Sequence, residues 1–596
     1  MYIYHYGHYE PTAFKRLMSL HGTREAQVDQ FLREARFVDL LRVVREALST
    51  SEPGYSLKNI EHFYMGPREG EVKDAGASIV NYDQWRETQN PELLEAIERY
   101  NEFDCRSTVK LRDWLIGMRP GSLPWFVPGQ VEDNGRAPDP EAEARRREAE
   151  ERLARYEAAL LGALPADRSE WTEEQRVREL AFQLLDFHRR AAKPEWWAMF
   201  ERREMSEHEL IDDPECLGGL RADPKQTPFK EKRSTVYTFS FPEQDSKLKQ
   251  GDGCRRADTL EPLGPIYDLD EERRIVRLKL GPTRAPLPAA VSIIPEGPLD
   301  DKVLRGAVAR FADALIAGDG RYGALRALLG REVPRLLPPP QPSPAPSAQG
   351  REATRPTRGE EVTGEVVLDQ AIEAAARLDA SYLFVQGPPG AGKTYTGSRM
   401  IVELMRRGFR VGVSSNSHKA INNLLKAVDE HAAEKGVRFS GAKKSVSEAP
   451  DTEYEGEGIA NVYENADIFA GDFQLIAGTA WLFAREELDG ALDYLFVDEA
   501  GQVSLGHLVA MGTSARNIVL LGDQMQLAQP IKGVHPGRSG ESVLDYLLDG
   551  QATKRRRRSC ARSTRACSNT VTGTRRGKLP QWAPGTFSSS RPTTCR

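Results

Sequence analysis

The chain has 596 residues, 39% hydrophobic and 29% charged, a length and balance that exclude a single compact core and point to several domains. No apolar stretch approaches the roughly 20 residues of a membrane span, and the first residues, MYIYHYGHYE, lack the basic-then-apolar order of a secretion signal; six cysteines without a CxxC or Cys/His cluster exclude a disulfide framework and a zinc site, so a cytoplasmic protein with no membrane partner is expected. The net charge of −6 conceals a basic end: residues 551–596 hold twelve Lys/Arg and no Asp or Glu, leaving −18 for residues 1–550 once those twelve are subtracted.

Taken in chain order, residues 1–118 read as a compact α/β piece. It has a short β-like start (Tyr2–Tyr6), then amphipathic runs at Val28–Leu48 and Leu93–Leu115 with apolar residues at helical spacing. The beginning is abrupt, with Met1 almost on top of a strand-like segment, as if the chain starts inside a domain. Residues 119–226 read as a helical stalk: after a Pro/Gly stretch, 139–163 form a strongly charged helix and a second helix covers about Glu173–Ala192. From 227 to 333 the pattern turns to alternation at Ser234–Phe241, Arg274–Leu280 and Ala290–Ile294, which predicts a small β-barrel or sheet, followed by a helix at Asp300–Ile316.

The run PRLLPPPQPSPAPSAQG opens a stiff linker, 334–360, that predicts a domain boundary. Residues 361–550 alternate short apolar strands (Tyr382–Gln386, Val411–Ser415, Leu475–Ala477, Tyr494–Val497, Ile518–Leu521) with helical segments, the pattern of a parallel sheet covered on both faces. The tail, 551–596, has too few aliphatic residues for a core and is expected to be disordered. Two readings of it stay open: translation in a shifted frame, or a tail that binds nucleic-acid phosphates through Arg555–Arg558.

The strongest motif is GPPGAGKT, Gly387–Thr394, preceded by an apolar strand and followed by a helical pattern. Gly387, Gly390 and Gly392 let backbone N–H groups close around phosphate oxygens at a helix N-terminus, where partial positive charge favours an anion. Lys393 supplies a point charge to the β- and γ-phosphates, and the Thr394 hydroxyl suits Mg²⁺. ALDYLFVDEAGQ (491–502) then places Asp498 and Glu499 at the carboxyl end of a strand, where open α/β sheets bind ligands. Asp498 suits the metal and Glu499 suits activation of an attacking water. A third strand ends in GDQMQL, with Gln526 in reach of a γ-phosphate. ATP and Mg²⁺ are therefore the expected cofactors.

Together these stretches resemble superfamily 1 helicases, in particular the 1B, Upf-like branch. GPPGAGKT looks like motif I, DEAG like motif II and GDQMQL like motif III. The resemblance implies a RecA-like domain over 361–550 and gives Gln370, in LDQ, the adenine-reading role. VSSNSHKAINNLL resembles motif Ia, which implies that Asn416, Ser417, His418 and Asn422 meet the backbone of single-stranded DNA or RNA. AGTA resembles motif Ic, with Thr479 in the same role. The family also carries a β-barrel on a helical stalk ahead of its first RecA-like domain. Its second RecA-like domain supplies an arginine finger, which here another copy or a missing domain would have to provide.

The N-terminal piece carries its own resemblance. Tyr100 and Asp104, four apart on one helix face, are similar to the last motif of DEDDy exonucleases with an RNase H-like fold, and Glu10 stands as a second carboxylate with Val38-Asp39-Leu40 after it. The order matches bacterial fusions of a RecB-type nuclease and an RNase H-like exonuclease with a superfamily 1 helicase. Two-metal hydrolysis needs about four carboxylates around ions ~4 Å apart, and the family's DxE strand is absent from residues 1–10, so lost nuclease activity is expected. The expectation is thus a truncated helicase-type ATPase with slow hydrolysis, the alternative being a non-catalytic nucleic-acid-binding remnant that retains nucleotide.

Overall fold

A computed structural model of the chain describes residues 2–7, 9–21, 24–34, 36–65, 75–125, 140–222, 227–282, 286–338, 364–388, 390–447, 449–523 and 533–549. It divides into two units, whose described residues lie within 2–162, 189–299 and 533–537 for the first and 163–188, 300–523 and 538–549 for the second. No helix among the described residues is long and apolar enough to cross a membrane.

In the first unit, β1 (Ile3–His5) and β2 (Phe37–Asp39) pair in parallel. The long helix Pro91–Met118 packs against β1, burying Leu111 with Leu40, Val44 and Ile60. Asn90 caps that helix and Pro91 opens it, where its missing N–H costs nothing. The run Val28–Leu48, expected as helical, contains β2 between the helices Glu25–Arg33 and Leu40–Ala47. The break has a local cause: Asp39 turns its carboxylate onto the N–H groups of Leu41 and Gly7, capping the second helix and tying it to the exit of β1.

The same unit holds an antiparallel sheet of seven strands: β3 (Leu217–Ala222), β4 (Phe229–Glu231), β5 (Ser234–Ser240), β6 (Gly253–Arg256), β7 (Pro262–Asp270), β8 (Ile275–Leu280) and β9 (Ala290–Pro295). β3 pairs with both β9 and β5, so six strands close into a ring, β3-β9-β6-β7-β8-β5, with β4 as a hairpin arm on β5. Alternate residues of the ring, including Leu220, Phe239, Cys254, Val276, Leu278 and Ile293, fill its interior. The barrel begins at Leu217 rather than at 227, because closure needs β3, whose LGGLRA carries too few β-formers to announce itself.

The second unit is built on a parallel sheet in the order β10-β16-β15-β11-β14-β12-β13: β10 (Tyr382–Gln386), β11 (Val411–Ser414), β12 (Gly441–Lys444), β13 (Ile459–Val462), β14 (Leu475–Gly478), β15 (Leu492–Val497) and β16 (Ala515–Gly522). Every pairing is parallel. Leu495–Val497 and Ile518–Leu521 are fully buried, as strands covered on both faces must be. The helices Lys393–Arg406 and His418–Lys435 supply Met400, Ile401, Leu404, Ile421, Leu424 and Val428 to one core layer.

The expected boundary at the proline run does not hold. The helices Lys302–Ala317 and Gly323–Leu329 belong to the second unit, not with the barrel that precedes them. Arg310 donates to Asp489 and to the carbonyl of Ala484, the Tyr322 hydroxyl donates to Asp489, and the Tyr546 hydroxyl donates to the carbonyl of Leu329. Leu336, nominally in the linker, bridges to Leu378. The predicted helix Glu173–Ala192 is two, Glu173–Leu185 and Phe187–Glu204, broken at Asp186. Phe187 lies buried where a side chain on Gly506 would have to go, its ring 2.2 Å from that absent Cβ. Most of the linker (339–360) and the tail (551–596) lie outside the described residues.

Candidate nucleotide site and nucleic-acid edge

The carboxyl ends of the parallel strands form one continuous edge. Register aligns Gln386 with Gly522, Val497 with Leu520 and Ser414, and Ser414 with Gly478. The loops leaving β10, β16, β15, β11 and β14 therefore emerge from one edge in that order, and they carry most of the residues singled out in the sequence.

The loop after β10 is pinned by Gly387 N–H donating to the carbonyl of Gly522 at 3.2 Å. Gly390 and Gly392 have φ of +78° and +83°, values L side chains rarely adopt. A Cβ on Gly387 would lie 2.8 Å from that of Ala391, so the cradle closes only around glycine. Gly392 is the N-cap of the helix Lys393–Arg406 and no side chain caps it, which leaves the first backbone N–H groups to the loop. Lys393 Nζ donates to the carbonyls of Gly387 and Pro388, at 2.6 and 3.0 Å, and Thr394 follows it half-buried on the first turn.

Asp498 directly follows β15 and is 7% exposed. Burial pushes its carboxyl from 3.8 up to about 6, the Glu499 charge adds to the rise, and the Glu499 N–H and the Lys393 ammonium pull the other way. The basic loop and the acidic strand end thus act on each other electrostatically. Glu499 has φ +53°, a left-handed conformation that costs a non-glycine residue of order 1–3 kcal/mol. Its N–H bonds Asp498 Oδ1 at 2.9 Å, and Ala500 N–H bonds the carbonyl of Leu521.

Gln370 is exposed on the helix Gly364–Ala376, which packs on the P-loop helix through the Glu373–Arg407 pair. Gln526 lies outside the described residues. Asn416 donates its amide to the carbonyl of Gln502, joining the β11 exit to the turn after Glu499. Ser417 caps the helix His418–Lys435 by accepting from Ala420 N–H. Asn422 donates to the carbonyl of Glu453. Thr479 stands half-buried at the exit of β14. His418 is half-buried beside Lys443, a residue that carried no motif signal because two adjacent lysines ordinarily read as a solvated run.

Similarity to known proteins falls on two stretches of the chain. Residues 1–116 match the model of the RNase_H superfamily, and residues 369–541 match a model described as an AAA domain. The chain is therefore a multi-domain α/β protein with an RNase H-like N-terminal region and an AAA domain on a parallel sheet. The DNA replication ATP-dependent helicase/nuclease DNA2 of Saccharomyces cerevisiae is 28% identical over 170 residues, 27% of this chain and 11% of that protein. The protein of the same name from Mus musculus is 29% identical over 162 residues, 25% of this chain and 14% of that one. The matched stretch is thus a small part of those relatives. Among solved structures, Arterivirus nonstructural protein 10 (helicase) shows 14% identity and a TM-score of 0.22, covering 53% of this chain and 49% of that one.

In the RNase H-like region Tyr100 and Asp104 sit one turn apart on the helix that packs on β1, both half-buried. Glu10 begins the helix Tyr9–His21 that follows β1. Asp39 uses one carboxylate oxygen, Oδ1, to accept from the N–H groups of Gly7 and Leu41.

Proposed function

We propose that this chain is the ATPase half of a superfamily 1 helicase-type motor attached to an RNase H-like, nuclease-derived region, and that it acts on single-stranded DNA or RNA. The observation that carries the reading is the presence, on one sheet edge, of the glycine cradle at Gly387–Gly392 after β10 and a buried carboxylate, Asp498, after β15, with only β16 between the two strands. A glycine loop that opens onto an uncapped helix N-terminus suits phosphate oxygens, and a carboxylate buried at a cost suits a divalent cation. Magnesium-bound ATP supplies the phosphoanhydride and most of the charge to be neutralised when it binds. Lys393 would leave the Gly387 and Pro388 carbonyls for phosphate oxygens, Thr394 and Asp498 would hold the metal, and Glu499 would orient and deprotonate the attacking water. Gln370 and Gln526 take the adenine-reading and γ-phosphate-sensing roles in the same reading.

The likeness to proteins named helicase/nuclease supports the two-part organisation. The described residues contain one parallel sheet of this kind, so the arginine that such motors place against the γ-phosphate, worth roughly 10³–10⁵ in rate, would come from another copy or a further domain. Equilibrium binding of Mg·ATP tests the site itself: Lys393→Ala should weaken binding at least about tenfold, and Asp498→Asn should remove its dependence on magnesium. Equal binding by wild type and Lys393→Ala would overturn the assignment.

A further inference from the structure

The sheet edge beside the nucleotide site contains one ionisable cluster that the ATPase reading leaves unused. Lys443, at the end of β12, is 0% exposed. Its ammonium has three hydrogen-bond partners: His418 Nδ1 at 2.9 Å, the carbonyl of Lys444 at 2.9 Å and the carbonyl of Thr452 at 2.7 Å. An ammonium has three donors and no lone pair, so each contact uses one N–H and each partner must accept. His418 Nδ1 must then carry the lone pair, which puts the ring's proton on Nε2, away from Lys443.

His418 is also the first residue of an 18-residue helix whose N-cap, Ser417, stands at the exit of β11. β12 pairs with β14 so that Lys443 lies opposite Ala477, two residues before Thr479. A Cβ on Gly478 would lie 3.4 Å from that of Lys444. His418, Thr479 and Lys444 therefore share one stretch of the edge.

We propose that Lys443 is a positioning residue, a buried ammonium that fixes His418 as a neutral imidazole with its proton on Nε2, so that this N–H is a preset donor for a phosphate oxygen of the bound strand. The phosphate role rests on the nucleic-acid reading above; the tautomer does not. Burial, then the charges of Lys443 and Lys444, lower the ring from 6.5 to about 4, while Lys443, itself lowered by burial to about 8, stays charged at neutral pH. The charges that act on the ring both come from β12, and no carboxylate among the described residues opposes them. Around it, Asp451 of the turn Pro450–Thr452 and Lys419 of its own helix are exposed to solvent. The consequence is a strand contact that neither gains charge nor strengthens as pH falls through the range where an ordinary histidine is protonated.

The test uses the full chain with ¹⁵N-labelled histidine, the His418 signals being assigned by their loss in His418→Gln. At about pH 6, where an ordinary histidine is largely protonated, Nδ1 should give a lone-pair shift and Nε2 an N–H shift. A protonated His418 ring, or a proton on Nδ1, overturns the proposal without recourse to any variant. The phosphate role is then read from fluorescence anisotropy of a labelled thymidine oligomer against salt. Wild type should keep one salt slope between about pH 7.5 and 5.5, whereas Lys443→Met should steepen by roughly 0.7 at the lower pH as the freed ring charges, and Lys443→Met/His418→Gln should not. A Lys443→Met slope that parallels wild type overturns the positioning role. The expected tautomer in a chain that binds neither DNA nor RNA would keep the Lys443–His418 pair and sink the phosphate contact together with the nucleic-acid reading.

Discussion

Asp498 illustrates how the site is bought with stability. A carboxyl whose folded value lies near 6, against 3.8 for the free group, takes up its proton more readily folded than unfolded, so its ionisation opposes folding as pH rises from about 4 to 6 and the loss persists above that range. Asp498→Asn keeps the shape and removes the buried charge. It should raise the chain's stability in nucleotide-free urea unfolding by about 1–3 kcal/mol at neutral pH while abolishing ATP turnover. An unchanged or lower midpoint would mean that Asp498 is internally compensated and not held ready for a cation. Asp104 carries a matching expectation in the N-terminal region. Glu10, Asp39 and Asp104 fall short of the about four carboxylates that two-metal hydrolysis needs, so no magnesium- or manganese-dependent degradation of single-stranded DNA is expected, and degradation that Asp104→Asn removes would contradict this.

At the scale of elements, the turn after β15 and the exit of β16 approach so closely that only glycine fits between them. A Cβ on Gly501 would lie 2.5 Å from the carbonyl oxygen of Asp523, a backbone atom that cannot swing aside. Gly501→Ala should therefore cost about 1–3 kcal/mol and lower ATP turnover more than ATP binding, read by parallel melts and kinetics. The helix Leu505–Gly512 offers a pH test. Its His507 sits among Trp481, His188 and Phe187, with Nδ1 2.9 Å from Ser504 Oγ, and burial lowers it from 6.5 to about 4. The unfolded chain takes that proton first, so stability should fall as pH drops from about 6.5 towards 4, by a few kcal/mol at most and with His418 contributing in the same window. His507→Gln should flatten part of that slope in urea titrations.

Which elements could be read beforehand follows from the same physics. β10, β11, β14, β15 and β16 were legible because strands buried on both faces must be short aliphatic runs, and the P-loop and Asp498/Glu499 were legible because phosphate and metal chemistry restricts residue type and spacing. β12, Gly441–Lys444, was not. Half of it is lysine, and Lys443 can be buried only because carbonyls from Lys444 and the distant Thr452 meet its ammonium, a fact of tertiary structure. β3 and β6 were hidden in the same way, their pairing decided by barrel closure and not by their own propensity.

At the scale of the whole molecule, the proline run misplaces the domain division. The helix Lys302–Ala317 lies upstream of it, yet buries Leu304, Val308, Phe311 and Leu315 in the second unit. Phe311→Ala should destabilise that unit by about 3–5 kcal/mol and reduce ATP binding, although it is remote in sequence from Gly387–Thr394; calorimetry with and without Mg·ATP would show both effects. If the proline run were the true boundary, the substitution would leave ATP binding untouched. The central claim concerns the motor, and steady-state ATP hydrolysis with and without single-stranded DNA or RNA tests it most directly, with Lys393→Ala alongside. Turnover that rises with nucleic acid and vanishes in Lys393→Ala is the predicted result; turnover indifferent to nucleic acid, or surviving the loss of Lys393, would contradict it.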